Sequence, residues 1–341
     1  MMHELNQGAG IDAERLVECA REHERNGRAH DALAAYDLVL ADAPPSAHTA
    51  DVMRWKGTLL RETGHTAAAE SMYRQSLAIA QQIGYSSGVA HAQNCLAIVS
   101  QRRGDSEVAR ALYTEAARGA AAAGDRRLVG MIEQNLGALA TTAGDVTDAL
   151  ARYQASLDAF RTARDQQGQV WVLNNLGLLN ADMGRFEEAE QALDEALAIA
   201  RERRDLQMVA LVELSRAEAL IATGRLQDAE AGCERALRLA DERGDRLRRA
   251  EALRLRAAIA RRRARLDEAE RLVEEAQQLA RESEDALLTA ELLRELGEVW
   301  QQRGDSTRAR AAWLEALTTF RRLGAAPDAG DVEQRLSKLA A

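Results

Sequence analysis

The chain is poor in several things at once. Aromatic residues make up 4% of its 341 residues, and there are three prolines and three cysteines. Pro44 and Pro45 are adjacent and Pro327 is the third, so some 280 residues pass without the strongest helix breaker. Cys19, Cys95 and Cys233 are odd in number and far apart, which excludes a disulfide framework and points to a reducing compartment. Lysine occurs only at Lys56 and Lys338, so nearly all basic charge is arginine. The net charge of -9 and the pI near 5.4 argue against a nucleic-acid partner, which needs a basic field. No apolar run reaches the roughly eighteen residues of a membrane span, and Met1 to Gly10 lack the charged-then-apolar layout of a secretion signal. These features together suggest a cytoplasmic protein with no membrane partner.

What is abundant is Ala, Leu, Arg and Glu, all good helix formers. Their pattern repeats. Turn residues fall at Gly64, Gly104, Gly144, Gly184, Gly224, Ala264 and Gly304, each forty residues after the last. Gly27 precedes Gly64 by thirty-seven. A second series lies midway, at Gly84, Gly124, Arg164-Asp165, Arg204-Asp205, Gly244-Asp245, Glu284-Asp285 and Gly324. Two turn series twenty residues apart describe a helical hairpin repeated eight times. Glycine suits a residue that follows a helix end in the left-handed conformation. Ala264 is expected to mark a relaxed turn instead.

Three further series run in register with the turns. Five residues after each stands Ala32, Ala69, Ala109, Ala149, Ala189, Ala229, Ala269 or Ala309. Seven before stands Ala20, Gly57, Ala97, Gly137, Gly177, Ala217, Ala257 or Gly297. Nine after comes a bulkier knob, namely Tyr36, Tyr73, Tyr113, Tyr153, Leu193, Cys233, Val273 or Trp313. Paired small residues let two helices approach closely, and the knobs are expected to fill the space between hairpins. Each hairpin then keeps an apolar side that only its neighbour covers. Val332, Leu336 and Leu339 give the last segment one apolar face, as a cap requires.

These series, from Leu176-Gly177 through Gly184 to Ala189, resemble the tetratricopeptide repeat over residues 11–341. The forty-residue unit is similar to the long-helix subclass of kinesin light chains, of the spindle-orientation Leu-Gly-Asn protein and of bacterial peptide-sensing regulators. The resemblance implies an all-α fold, a right-handed α-solenoid of about eight hairpins, with the first helix of each lining a concave groove. The expected organisation is a lead-in at 1–10, a single superhelix at 11–326 and a capping helix at 327–341.

No catalytic constellation is present: there is no phosphate loop, nucleophile elbow or paired-cysteine metal spacing. All six histidines lie within the first 91 residues. Cys19 and His23, four apart on one helix, are followed by His30, but a third metal ligand is missing. The expectation is therefore no enzyme, no metal and no cofactor.

The groove is where sequence points to binding. Ten and nine residues before the turns, hairpins three to five carry Asn94-Cys95, Gln134-Asn135 and Asn174-Asn175. Asn is a mediocre helix former, yet its amide donates and accepts at once, as a peptide backbone does. Asn94, Asn135, Asn174 and Asn175 could hold an extended chain, and Asn at the concave face binds peptide backbone in several families of the resemblance. The other reading is that these amides tie neighbouring first helices together. His91, Met131, Trp171 and Leu178 project to the same face, with Trp171 and Met131 a seat for an apolar side chain. Further on, Arg254, Arg262 and Arg294 would favour an acidic segment. Against this, Glu251 and Glu291 stand three residues before Arg254 and Arg294, the spacing of ion pairs within a helix.

The function expected is a monomeric, non-catalytic scaffold that binds a peptide or disordered protein segment in its groove. A regulatory sensor, in which groove occupancy changes superhelix pitch and controls a partner in trans, is the alternative. Chaperone-binding tetratricopeptide domains clamp a terminal carboxylate with Lys and Asn. Asn135 and Asn175 match the Asn place here, but Gln, Met, Trp or Asn hold the Lys places, so that function does not transfer.

Overall fold

The turns explain the helices. At Asp165 and Asp205, one residue serves two helices. Asp165 donates its backbone N–H to Phe160 O (2.9 Å), closing the helix behind it, and its Oδ1 accepts from Gly168 N (3.1 Å), opening the helix ahead. Asp205 does the same with Ala200 O and Met208 N. The residue before each aspartate turns left-handed, so one helix follows another with almost no loop. Arg164 (φ 54°) and Arg204 (φ 55°) accept this conformation without being glycine. So does Ala264 at φ 58°, which corrects the expectation of a relaxed turn there.

The computed structural model describes residues 13–282 and 285–340; the expected lead-in, Ile11 and the turn residue Glu284 lie outside these. The chain divides into two compact units, residues 1–135 and 136–341. The first holds α1 (Ala13–Arg25), α2 (Ala29–Leu40), α3 (Ala47–Glu62), α4 (Thr66–Gln82), α5 (Ser86–Arg102), α6 (Ser106–Ala122) and the start of α7 (Arg126–Ala143). The second holds the rest of α7, then α8 (Val146–Thr162), α9 (Gln166–Asp182), α10 (Phe186–Glu202), α11 (Leu206–Ala222) and α12 (Leu226–Arg243). It continues with α13 (Arg246–Arg262), α14 (Leu266–Glu282), α15 (Ala286–Gln302), α16 (Ser306–Leu323) and α17 (Ala326–Ala340). No strand occurs among the described residues. This is the all-α, solenoid-type architecture that the repeat implies. Within each unit the helices pair as hairpins, and first helices also pack side by side, as α9, α11, α13 and α15 do.

A steric match fills each hairpin. The eight alanines five residues past the turns are all 0% exposed. The knobs reach into the space between hairpins as expected: Tyr73 shares a buried cluster with Cys95 and Val99 of the next hairpin, and Trp313 shares one with Val332. Four of them also press on a glycine of their own hairpin. A Cβ added to Gly57 would lie 2.7 Å from the Tyr73 ring, and one at Gly137 2.6 Å from Tyr153. At Gly177 it would meet Leu193 at 2.4 Å, and at Gly297 the Trp313 indole at 2.2 Å. The smaller knobs Cys233 and Val273 share buried clusters with Ala217 and Ala257 respectively. Buried knob tips find partners: Tyr36 donates to Glu24, Tyr113 to Gln101, and Trp313 Nε1 to Arg294 O.

Two substitutions test this account by denaturant unfolding. Gly297→Ala should destabilise by about 1–3 kcal/mol, because the rigid buried indole cannot move aside. Ala264→Gly should stabilise by roughly 1 kcal/mol, since only glycine takes a left-handed turn without strain.

Candidate functional site

In residues 1–135, α5 and α7 carry His91, Asn94, Met131 and Asn135. Asn94 is buried, and its Oδ1 accepts from Asn135 Nδ2 at 3.2 Å. Here the amides tie neighbouring first helices, as the second reading supposed. His91 Nε2 lies 3.3 Å from Asp125 Oδ2; burial, aided by Arg54, pushes the imidazole below its ordinary value, against the pull of Asp125 and Asp51. Met131 is exposed.

In residues 136–341 the corresponding amides behave differently. On α9, Asn174 is 3% exposed and its Oδ1 makes no hydrogen bond. An unpaired buried amide oxygen costs about 1–3 kcal/mol. Asn175, Trp171 and Leu178 are half-buried beside it, with Trp171 packed partly on the core of this unit. Leu214, the counterpart of Asn174 one hairpin on, is buried without such a penalty. The Asn174 acceptor is unpaired but enclosed, so the groups of α9 within reach of a ligand are the half-buried Asn175 amide and the Trp171 side chain.

The arginines are engaged by this chain's own carboxylates. Arg254 lies 3.1 Å from both Glu218 of α11 and Glu291 of α15. Burial works against its charge, but Glu291 and Glu218 more than offset this, and its pKa is raised. Arg294 meets Asp328 of α17 at 2.6 Å, and Arg261 meets Glu295 of α15 at 2.6 Å. The expected partners are exchanged: Glu251 bonds Arg248 of its own helix, and Glu291 bonds Arg254 of the preceding first helix. Arg262 alone among the three site arginines is exposed with no ion pair, so the expected acidic-segment seat rests on that one guanidinium.

Two carboxylates escaped the sequence reading. Asp182, at the end of α9, reaches water yet is crowded; burial, then Glu218 and Asp328, push it up to about 6 against the pull of Arg294. Glu213 is 1% exposed, held by Arg201 at 2.8 Å and by a two-point contact from Arg235 at 2.9 and 2.7 Å. It stands where Leu173, Leu253 and Leu293 stand in other hairpins, but also where Met53, Gln93 and Glu133 stand, so the forty-residue register does not single it out. With its oxygens satisfied by two cations, it is a structural acceptor. Among the described residues no group of His, Cys, Asp and Glu has the makings of a metal site, and no helix is long and apolar enough to cross a membrane.

The hairpin register places the chain among helical repeats, and comparison makes the class specific. A family model described as tetratricopeptide repeat matches residues 88–162 and 128–202. A model of anaphase-promoting complex subunit 5 matches residues 252–296. The chain is a tetratricopeptide-repeat-type protein. A comparison with curated proteins returns no match. Among solved structures it is similar to the quorum sensor NprR from B. thuringiensis, in its apo form, with 14% identity and a TM-score of 0.69 over 93% of this chain and 90% of that one. Aspartyl phosphate phosphatase F from Bacillus subtilis gives 12% and 0.69 over 95% and 88%. A Rap protein complexed with competence and sporulation factor gives 13% and 0.64 over 96% and 98%. At such identities the likeness is one of fold.

Two measurements probe the charged groups. Arg235→Met should destabilise by about 2–3 kcal/mol by leaving Glu213 buried with one partner, whereas Glu213→Leu should be nearly neutral. Asp182 binds its proton more tightly folded than unfolded. Its contribution to stability therefore grows as pH falls from about 6 towards the ordinary carboxylate range. Stability of Asp182→Asn measured across that window should lack this component.

Proposed function

We propose that the chain is a protein–protein interaction scaffold that holds an extended peptide or disordered segment along the first helices of residues 136–341, with α9 as the principal seat. The observation that carries this is the half-buried amide of Asn175 beside the half-buried Trp171 on α9, over the enclosed and unpaired Oδ1 of Asn174. Asn175 would exchange hydrogen bonds with the peptide backbone, and Trp171 with Leu178 would flank an apolar side chain. In residues 1–135, Asn135 keeps its Oδ1 for a ligand while its Nδ2 stays on Asn94, and His91 and Met131 border it. Arg254 and Arg294 take no leading part, being neutralised already. The fold shared with a Rap protein that was solved with competence and sporulation factor, and with the quorum sensor NprR, supports a ligand-holding role.

Random peptides displayed on phage and selected against the wild-type protein test this reading. Enriched peptides should bind wild type and lose tenfold or more of their affinity, about 1.4 kcal/mol, on Asn175→Ala or Trp171→Ala. Asn174→Leu should meanwhile stabilise the fold by about 1–3 kcal/mol, because Leu214 shows that leucine fits this place. Equal binding by the variants, or no enriched peptide, overturns the reading.

A further inference from the structure

A thiol, an imidazole and a carboxylate line up across the α1/α2 hairpin. Cys19 is exposed, whereas Cys95 and Cys233 are buried. Burial raises the Cys95 thiol and pushes that of Cys233 up to about 12, so neither is a ready nucleophile. Cys19 Sγ lies 3.4 Å from His23 Nε2, one helical turn on. His23 is mostly buried, with 15% of its side chain exposed, and its Nδ1 makes no hydrogen bond. The carboxylate beside that Nδ1 is Asp31 of α2, with Oδ2 at 3.9 Å. Asp31 also lies 3.9 Å from His30 Nδ1, but that imidazole is 99% exposed and turned to water. On its own helix, Arg15 stands four residues before Cys19 and Glu22 three after.

The order of these groups matters. A negative charge beside Nδ1 favours the tautomer with its proton there, which leaves the Nε2 lone pair facing the thiol. A surface cysteine with no such neighbour ionises only into water. Here the base is on the same helix, its ring is packed in place, and its far side faces a carboxylate. The helical spacing that makes Cys19 and His23 neighbours is insufficient for a metal, since no third ligand joins them. It is sufficient for proton transfer from sulfur to nitrogen.

We propose that Cys19 is a site of reversible oxidation by hydroperoxides, with His23 as its base and Asp31 as the residue that positions the imidazole. His23 Nε2 takes the thiol proton as sulfur attacks one peroxide oxygen. The S–O bond forms and the O–O bond breaks with two electrons from sulfur. The departing hydroxide or alkoxide takes the proton back from His23 and leaves as water or alcohol. The product is a sulfenic acid on an exposed helix face. Because the other cysteines are buried in their own hairpins, an external small thiol completes the cycle. It forms an S–S bond with Cys19 and releases water, and a second thiol restores the free cysteine.

The test treats the whole protein with hydrogen peroxide in the presence of a cyclic 1,3-diketone that traps sulfenic acid, and follows the added mass on Cys19. Wild type should react about tenfold or more faster than free cysteine at the same pH. Cys19→Ser should remove the label, and Cys95→Ala with Cys233→Ala should leave it unchanged. His23→Ala should fall to the free-cysteine rate, and added imidazole should restore part of the loss. Asp31→Asn should be slower than wild type, with the His23→Ala/Asp31→Asn double variant no slower than His23→Ala alone. Thermal melts followed by circular dichroism show that each variant is folded. A wild-type rate equal to that of free cysteine, a rate indifferent to His23→Ala, or losses that simply add would overturn the proposal.

Discussion

Everything in this chain depends on how closely two helices of a hairpin can approach. The limit is set at one place, where a small residue seven before the turn receives a knob nine after it. Where the knob is Leu193 or Trp313, the receiving place is Gly177 or Gly297, because a single added carbon would overlap the side chain. Where it shrinks to Cys233 or Val273, alanine suffices at Ala217 and Ala257. Close approach buries the alanine row completely and brings buried leucines, valines and isoleucines of the same cores into contact. The outer faces of the helices then remain for neighbouring hairpins and for ligands.

The repeat made the fold legible. Helix pairs, turn positions and the buried alanines can be read from a forty-residue register because each obeys a local steric rule that returns in every hairpin. Ala264 shows where such reading stops: its residue type suggested relaxation, but the helices on both sides fix its backbone. The pairing of Arg254 was misread for a related reason. A carboxylate three residues away in sequence competes with Glu218 and with Glu291 as it lies on the next first helix, and only packing says which oxygen is nearer. Glu213 was hidden by its register, because the same place holds Met53, Gln93 and Glu133 as well as Leu173, Leu253 and Leu293.

The asparagines carry the same lesson into the site. Four amides look equivalent in sequence, yet Asn94 Oδ1 accepts from Asn135 whereas Asn174 has no partner for its oxygen. Pairing across first helices needs an amide on both sides, and the hairpin after Asn174 offers Leu214 and Ser215 at the matching places. A run of polar residues thus ends in one that is left over. Arg254, Arg261 and Arg294 do not reach that condition, because α11, α15 and α17 supply carboxylates to them. Within residues 136–341 the first helices therefore differ in kind: α13 and α15 are held by charge, and α9 presents neutral amides.

The paired small and large residues have one more implication, for how such a chain can be shuffled. Gly177 and Leu193 lie on opposite sides of the turn at Gly184, so a splice placed there would join one hairpin's gap to another's knob. Ala217 joined to Trp313 would collide, and Gly177 joined to Cys233 would leave a hollow. A splice at the midway turns, such as Arg164-Asp165 or Arg204-Asp205, transfers gap and knob together. The natural unit of exchange therefore begins at an aspartate that caps a first helix and runs forty residues to the next.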